Sequence, residues 1–221
     1  MFLFVGRMIE YKGQRLILDA LKGLFDENVD FRMLFVGDGA DLETLKAYSE
    51  SLGMAEKVIF TGAIRNREEI RALYGFADLF LFPSTYDTNG LVVTEAAGSG
   101  TASVLVRGSA AAENITDGRN GFLINETAVS LFATLWKLTQ HPEKMKEAGE
   151  HALEEVYFSW DDAVKAAYKR YDYLIHSYKT GFLPRRKEDF ADLVLANDGR
   201  FAQTILDVRD FFQNAAETLF R

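Results

Sequence analysis

The sequence has no cysteine, three prolines and no apolar run that approaches the roughly 20 residues a membrane-spanning helix needs. The lack of cysteine excludes a disulfide framework, a thiolate zinc site and a catalytic thiol, and it is typical of a cytoplasmic protein. Because proline is scarce and 48% of the residues are apolar, we expect a folded chain with a sizeable core. The sequence also has no excess of basic residues. Its net charge is −8, which argues against nucleic acid as a general partner.

Short apolar runs alternate with helical patterns through the first part of the chain. Each run is rich in Val, Ile, Leu or Phe and is continuous rather than alternating, which is typical of strands covered on both faces. The runs are Phe2–Val5, Met33–Val36, Val58–Phe60, Leu79–Phe82, Ser103–Val106 and Gly121–Ile124. Amphipathic stretches between them predict helices. The alternation predicts an α/β fold, with a doubly wound parallel sheet of about six strands.

The chain becomes helical after the sixth run. Its pattern predicts one helix over residues 126–139, a second that begins near Pro142, and a third that carries Trp160, Val164, Tyr168, Tyr171 and Ile175. A break at residues 179–186 precedes a last helical stripe of Phe201, Ile205, Val208, Phe212, Ala215 and Leu219. We therefore predict a Rossmann-like domain over residues 1–178 and a helical C-terminal extension over residues 179–221. Because the first strand begins at once, we also expect a further domain before Met1 in a longer protein.

Ligands of open parallel sheets bind beyond the carboxyl ends of the strands, so the loops that follow the strands are the first candidates for a site. Glycine or a charged residue follows nearly every predicted strand, which lets a ligand approach the backbone closely. Arg7 and Lys12 follow the first strand, and a guanidinium fork with an ammonium point charge suits a diphosphate. The alternative is that both are ordinary surface cations. Gly37-x-Gly39 after the second strand is a weak nucleotide signal, with a turn capped by Asp38 as its alternative.

The segment Pro83–Glu95 after the fourth strand is the most informative one. A helix is predicted to begin near Gly90, so that its first N–H groups and its dipole form an anion site. Asp87 precedes this helix and Glu95 lies in its second turn. Carboxylates beside a phosphate site are unfavourable unless they bind something else, and sugar or ribose hydroxyls are the obvious candidates. The alternatives are a helix N-terminal charge for Asp87 and a solvated helix residue for Glu95.

Five short motifs along the chain are shared with one known family. They are Gly6–Gly13 for G-R-x(4)-K-G, Val36–Gly39 for V-G-x-G, Val58–Gly62 for V-x-F-x-G, Pro83–Ala96 for P-S-x-x-E-x-F-G-L-V-x-x-E-A, and Asn120–Leu123 for N-G-F-L. With them the chain resembles the nucleotide-sugar-binding C-terminal domain of the retaining GT-B glycosyltransferases of the large E-x7-E family, glycosyltransferase family 4 or group 1. The resemblance covers residues 1 to about 177. Each motif is weak alone, but together they are specific.

The resemblance implies a role for each matching residue. Arg7 and Lys12 would clamp the donor diphosphate and, with Asp87, make up the catalytic set. Asp87 would also hold hydroxyls of the donor sugar, and Glu95 would accept from the two ribose hydroxyls. The backbone near Ile64 would contact the base, and the remaining donor contacts would come from Gly6, Gly37, Asn89, Gly90, Leu91 and Val92. No metal and no cofactor is implied, since cations and a helix N-terminus would stabilise the leaving diphosphate.

The activity implied is transfer of a sugar, with retained configuration, from a nucleoside-diphosphate sugar to a lipid-linked or saccharide acceptor. A UDP-sugar is the first expected donor and GDP-mannose the second. The protein would be a cytoplasmic enzyme of cell envelope polysaccharide or glycolipid biosynthesis, inactive as this stretch alone. Membrane contact at the inner face would come from the preceding acceptor domain, and the oligomeric state is left open. The alternatives are a GT-B enzyme of another class, such as a sugar-nucleotide epimerase, and a non-enzymatic nucleotide-binding module.

Several positions depart from the family pattern. Asp87 replaces the first Glu of the signature and reaches one methylene less, while Asn89 replaces the usual Phe and makes the loop more polar. Ser109–Glu113 stands where the family has Gly-Gly-x-Pro-Glu. These changes affect the donor sugar and the path of the loops more than the fold. The three histidines lie in the late helices and are interpreted as surface or packing residues: His141, His151 and His176.

Overall fold

The structure, a computed structural model, describes residues 1–87 and 90–181. Two one-turn 3-10 helices also occur, at Glu10–Lys12 and Ala110–Ala112. The strands are β1 (Phe2–Val5), β2 (Met33–Val36), β3 (Val58–Gly62), β4 (Leu79–Phe82), β5 (Ser103–Val106) and β6 (Phe122–Ile124). The α-helices are α1 (Gln14–Asp26), α2 (Leu42–Ser51), α3 (Arg67–Phe76), α4 (Leu91–Gly98), α5 (Ala128–Thr139), α6 (Pro142–Glu155) and α7 (Trp160–Lys179).

The strands form one six-stranded parallel sheet in the order β3-β2-β1-β4-β5-β6. The chain builds outward from β1 to β3 and then returns to place β4 on the other side of β1. β1 and β4 are therefore the switch point of a doubly wound sheet, where a crevice opens beyond the carboxyl ends of the strands. The predicted fold class is confirmed. The third predicted strand extends further, to Gly62, and the sixth begins one residue later than predicted.

A layer of aromatic rings runs along one face of the sheet. Residues two apart in a strand share a face, and Phe80 stacks on Phe82 with 5.7 Å between ring centroids. Phe82 stacks on Phe4 of β1, at 6.0 Å. The layer continues from Phe4 to Phe35 at 5.7 Å and from Phe35 to Phe60 at 4.9 Å. This layer joins β3 to β4 and supports the crevice from below.

The prediction that every strand is covered on both faces is wrong for β3. Its burial alternates, and Ile59, the second residue of the strand, is 49% exposed. The reason is topological, since β3 is the edge of the sheet and pairs with β2 only. A continuous apolar run therefore predicted a strand here correctly but misjudged its surroundings.

The predicted late helices are confirmed with small shifts. α5 begins at Ala128 rather than near residue 126, because the Thr127 side chain accepts a hydrogen bond from the Ser130 N–H and caps the helix. α6 begins at Pro142, as predicted. α7 carries the predicted aromatic stripe and ends at Lys179.

The chain divides into two compact units, Met1–Trp160 and Asp161–Arg221. The helical stripe predicted between Phe201 and Leu219 lies outside the described residues. The domain boundary near residue 178 and the preceding domain also stay predictions. Within residues 1–87 and 90–181, no helix is long and apolar enough to cross a membrane.

Candidate functional site

The loops after β1 and β4 touch each other at the switch point. Gly13, which leads into α1, has a φ of +79°, a conformation that favours glycine. A Cβ at this position would lie 2.7 Å from the carbonyl oxygen of Pro83, so a larger residue would push the loops apart. This close approach brings the end of the first loop, with Lys12, against the segment that carries Asp87.

Lys12 and Asp87 form an ion pair at the centre of this contact. The Lys12 ammonium donates to Oδ1 of Asp87, and the two side chains are only 12% and 20% exposed. The ammonium also lies 5.4 Å from the ring centroid of Phe82 and 5.6 Å from that of Tyr11. Oδ2 of Asp87 is buried, and no described residue donates to it. A buried carboxylate oxygen without a donor is costly, so it is a ready acceptor for a ligand hydroxyl.

Arg7 extends over the same loop. Its guanidinium is exposed and donates to the Tyr11 hydroxyl at 3.1 Å, while Tyr11 meets Tyr86 edge-on with 5.8 Å between centroids. From below, the fully buried Gln14 donates from Nε2 to the carbonyl oxygen of Arg7 at 2.7 Å. The backbone of Arg7 is thus fixed, while its charged group remains accessible.

A cleft of 390 Å³ opens at the ends of β1, β2 and β3. Apolar side chains make up most of its wall, with Arg7 and Asp38 as the charged groups, and such a slot suits a flat heterocycle. The lining residues are Val5, Gly6, Arg7, Val36, Gly37, Asp38, Ala63, Ile64 and Ile70. The predicted donor contacts Gly6, Arg7, Gly37 and Ile64 are therefore together.

The glycine at the end of β2 has a structural reason that sequence reasoning did not give. Gly37 has a φ of +142°, and a Cβ there would lie 1.8 Å from the carbonyl oxygen of Gly6. The close approach is therefore between two strand-end loops of the protein itself. Asp38 accepts from the Gly39 N–H at 2.7 Å, in agreement with the turn that was the alternative for this motif.

The predicted helix after β4 is present as α4. Gly90 caps it with a φ of +51°, and the first N–H groups of such a helix, at Leu91 and Val92, have no acceptor within the helix. Gly90 also touches the loop after β5, since a Cβ there would lie 3.0 Å from that of Ala111. The loop that departs from the family pattern therefore borders this helix end. Asn89 lies outside the described residues.

Glu95 has a partner that the sequence did not indicate. Its carboxylate, exposed in the second turn of α4, accepts at Oε2 from the hydroxyl of Tyr74 at 3.2 Å. Burial, and then the charge of Glu95, raise the pKa of the Tyr74 phenol well above its ordinary value. A phenol is protonated at neutral pH even at its ordinary pKa, so the Tyr74 hydroxyl is the donor in this hydrogen bond.

Sequence reasoning missed Tyr11, Gln14, Tyr74 and Tyr86. Tyr11 and Tyr86 occupy unspecified positions of the Gly6–Gly13 and Pro83–Ala96 motifs. Their place inside a motif was therefore the only indication that they belong to the site. In the sequence, Tyr74 cannot be distinguished from an ordinary core aromatic residue on a helix. Gln14 is a single polar residue at a helix start, and no hydrophobic pattern predicts that it is buried. As for the histidines, His141 is a surface residue, with Nδ1 3.2 Å from Glu143.

The doubly wound sheet, with cations, carboxylates and a helix N-terminus at its switch point, places the chain among the Rossmann-like proteins. Residues 1–155 match the family described as "Glycosyl transferases group 1", and the chain belongs to that family.

One relative is the GDP-mannose-dependent alpha-(1-6)-phosphatidylinositol monomannoside mannosyltransferase of Mycolicibacterium smegmatis. It is 34% identical over 158 residues, which cover 66% of this chain and 41% of that protein. The chain thus spans less than half the length of the curated relatives it matches.

Solved structures agree on the fold. The C-terminal domain of a glycosyl transferase group 1 family protein from Francisella tularensis superposes with a TM-score of 0.64 and 22% identity, covering 70% of this chain and 83% of that one. An Anabaena protein solved in complex with UDP and glucose gives a TM-score of 0.61 and 23% identity, covering 69% of this chain and 42% of that one.

Proposed function

We propose that this chain is the donor-binding domain of a retaining glycosyltransferase and that it binds a nucleoside-diphosphate sugar at the β1–β4 switch point. One observation carries the proposal: the Lys12–Asp87 pair lies where the β1 and β4 loops meet, with exposed Arg7 and an apolar cleft beside it. A nucleoside diphosphate has a flat base, which the apolar cleft suits, and a negatively charged diphosphate, which the cations Arg7 and Lys12 suit.

The donor would lie along the strand ends, with its base in the cleft near Ile64. Ile70 of the cleft and Tyr74 are one turn apart on the same face of α3, and Tyr74 contacts Glu95, which supports placing Glu95 toward the base end of the donor. A ribose attached to the base would therefore reach the Glu95 carboxylate, and the diphosphate would continue toward Arg7 and Lys12.

The same groups would lower the barrier to transfer. Negative charge develops on the leaving diphosphate as the glycosidic bond breaks, and Arg7, Lys12 and the first N–H groups of α4 are fixed donors for it. Asp87 forms an ion pair with Lys12. When a diphosphate takes over Lys12, the Asp87 carboxylate becomes free to accept from hydroxyls of the donor sugar.

The choice of donor and acceptor follows from the resemblance. We propose a UDP-sugar as the first donor and GDP-mannose as the second, since similar proteins include one solved with UDP and one named as GDP-mannose-dependent. The acceptor would be lipid-linked or a saccharide, in cell envelope synthesis at the inner face of the membrane, and it would bind to a domain that precedes this stretch.

Calorimetric titration with UDP, GDP, ADP and UDP-sugars tests the proposal. We expect at least one nucleoside diphosphate to bind, and Lys12→Ala to weaken that binding by about 1.5–3 kcal/mol, the usual worth of a hydrogen bond to a charged group. Lys57→Ala is the matched control, because Lys57 pairs with the exposed Asp30 just before β3, at the amino end of the sheet. If none of the nucleotides binds, the proposal is wrong.

A further inference from the structure

Tyr74 is a buried phenol whose hydroxyl reaches toward an exposed carboxylate. The residue is 1% exposed, and its ring meets Phe80 edge-on with 5.4 Å between centroids. Its hydroxyl donates to Oε2 of Glu95 at 3.2 Å. A phenylalanine would fill the same volume without a polar atom to satisfy, so packing alone does not account for the hydroxyl.

The backbone of Tyr74 is held independently of Glu95. Thr101, which is buried and follows α4 in the sequence, donates from Oγ1 to the carbonyl oxygen of Tyr74 at 2.6 Å. Ring packing and this bond fix the direction in which the phenol hydroxyl points. Glu95, in contrast, is exposed on α4, where a free glutamate side chain samples several rotamers.

The hydrogen bond therefore selects one orientation of the Glu95 carboxylate. The protonated Tyr74 hydroxyl donates to the carboxylate and leaves Oε1 and the second lone pair of Oε2 for other donors. Tyr74 lies one turn after Ile70, which lines the cleft proposed for the base, so a ribose that follows the base would extend toward this pair.

We propose that Tyr74 is a positioning residue, which holds the Glu95 carboxylate ready to accept from the two ribose hydroxyls of the donor. The inference rests on the proposed function, because it assumes that a nucleotide binds with its ribose at Glu95. It adds that the affinity for ribose comes from a pair of residues on α3 and α4.

The test compares Tyr74→Phe with the parent protein in titrations with UDP and GDP and with their 2′,3′-dideoxy forms. We expect Tyr74→Phe to bind the ribose nucleotide about tenfold more weakly, since one charge-assisted hydrogen bond no longer orders Glu95. The dideoxy nucleotide lacks the hydroxyls that Glu95 accepts from, so its affinity should not change. Tyr48→Phe is the control, because the Tyr48 hydroxyl bonds Asp19 at 2.5 Å between α1 and α2.

A second comparison uses Glu95→Ala as the background. There Tyr74→Phe should have no further effect on ribose nucleotide affinity, since the residue acts only through Glu95. Equal losses for ribose and dideoxy nucleotides would assign Tyr74 a purely structural role, and unchanged affinity for both would remove it from the site. A parent protein that binds none of these nucleotides would contradict the proposed function instead.

Discussion

The charges of Lys12 and Asp87 neutralise each other in an ion pair. Their ion pair is largely buried, and Oδ2 of Asp87 has no donor among the residues that the structure describes. A pair of this kind gains little net stability, because desolvation offsets much of the Coulomb attraction. It is therefore well suited to exchange partners when a diphosphate and a sugar enter together.

Asp87→Asn tests this exchange at the level of the residue. The substitution keeps the shape but releases the Lys12 charge, so we expect UDP to bind as tightly or more tightly. The extra affinity of a UDP-sugar over UDP should fall by about 0.5–1.5 kcal/mol, because the amide is a weaker acceptor for sugar hydroxyls. Titration with both ligands measures the difference.

Asp30→Asn is the control for that experiment, since Asp30 pairs with Lys57 in an exposed position. A UDP-sugar that keeps its full advantage over UDP in the Asp87→Asn protein would remove Asp87 from the sugar site.

The junction between the β1 loop and α1 depends on one glycine. Gly13 combines a left-handed backbone with close contact to Pro83, and both conditions must hold for Lys12 to reach Asp87. Steric fit between two loops therefore positions the charged pair more than any local helix preference does.

We expect Gly13→Ala to lower the free energy of unfolding by about 2–4 kcal/mol, because backbone strain adds to a clash with the Pro83 carbonyl. Gly118→Ala is the matched control: its φ of +75° is similar, but no atom of the described part of the chain lies within 4 Å of the added Cβ. That control should cost only about 1 kcal/mol. Urea unfolding at constant m-value measures both, and equal losses would show that the loop contact is unimportant.

At the scale of the whole molecule, an acidic chain carries two cations in the loop where a diphosphate is proposed to bind. The net charge is −8, yet the first strand-end loop presents Arg7 and Lys12. Under the proposed function, affinity for an anion would therefore come from local geometry and a helix N-terminus, and not from overall attraction. Folding and ligand binding should be coupled, since the site is assembled from loops that are far apart in the sequence.

A nucleoside diphosphate at a hundred times its dissociation constant should stabilise the folded chain by about 2.7 kcal/mol. For a protein of this size that corresponds to a rise in melting temperature of roughly 5–10 °C. Thermal unfolding with and without UDP or GDP measures it. Lys12→Ala should lose most of the shift at the same concentration, and Lys57→Ala should retain it. An equal shift with inorganic phosphate alone would argue against recognition of the nucleotide.

Much of the fold could be predicted from local pattern. The run Leu79–Phe82 indicated a buried strand because all four residues are apolar, and Pro142 correctly predicted a helix start. The prediction was wrong for the surroundings of Ile59, since a run of side chains reports hydrophobicity but not whether its strand lies at an edge.

The sequence predicted several residues of the candidate site but not the contacts between them. Motifs singled out Lys12, Asp87 and Glu95, but assigned the first to phosphate and the others to hydroxyls. The structure pairs Lys12 with Asp87, and Glu95 with Tyr74. Contacts between side chains on different elements depend on how the loops pack, and no periodicity within one element records that.

The sequence by itself determined the parallel α/β class, the positions of its strands and late helices, and the family, because each is encoded in short contiguous patterns. Only the tertiary structure decided that β1 lies between β2 and β4, that Gly13 lets two loops meet, and that the Tyr74 hydroxyl donates to Glu95. The physical reason is the same each time: these features arise from close packing between segments distant in the chain, where a single Cβ or hydroxyl determines which groups can touch.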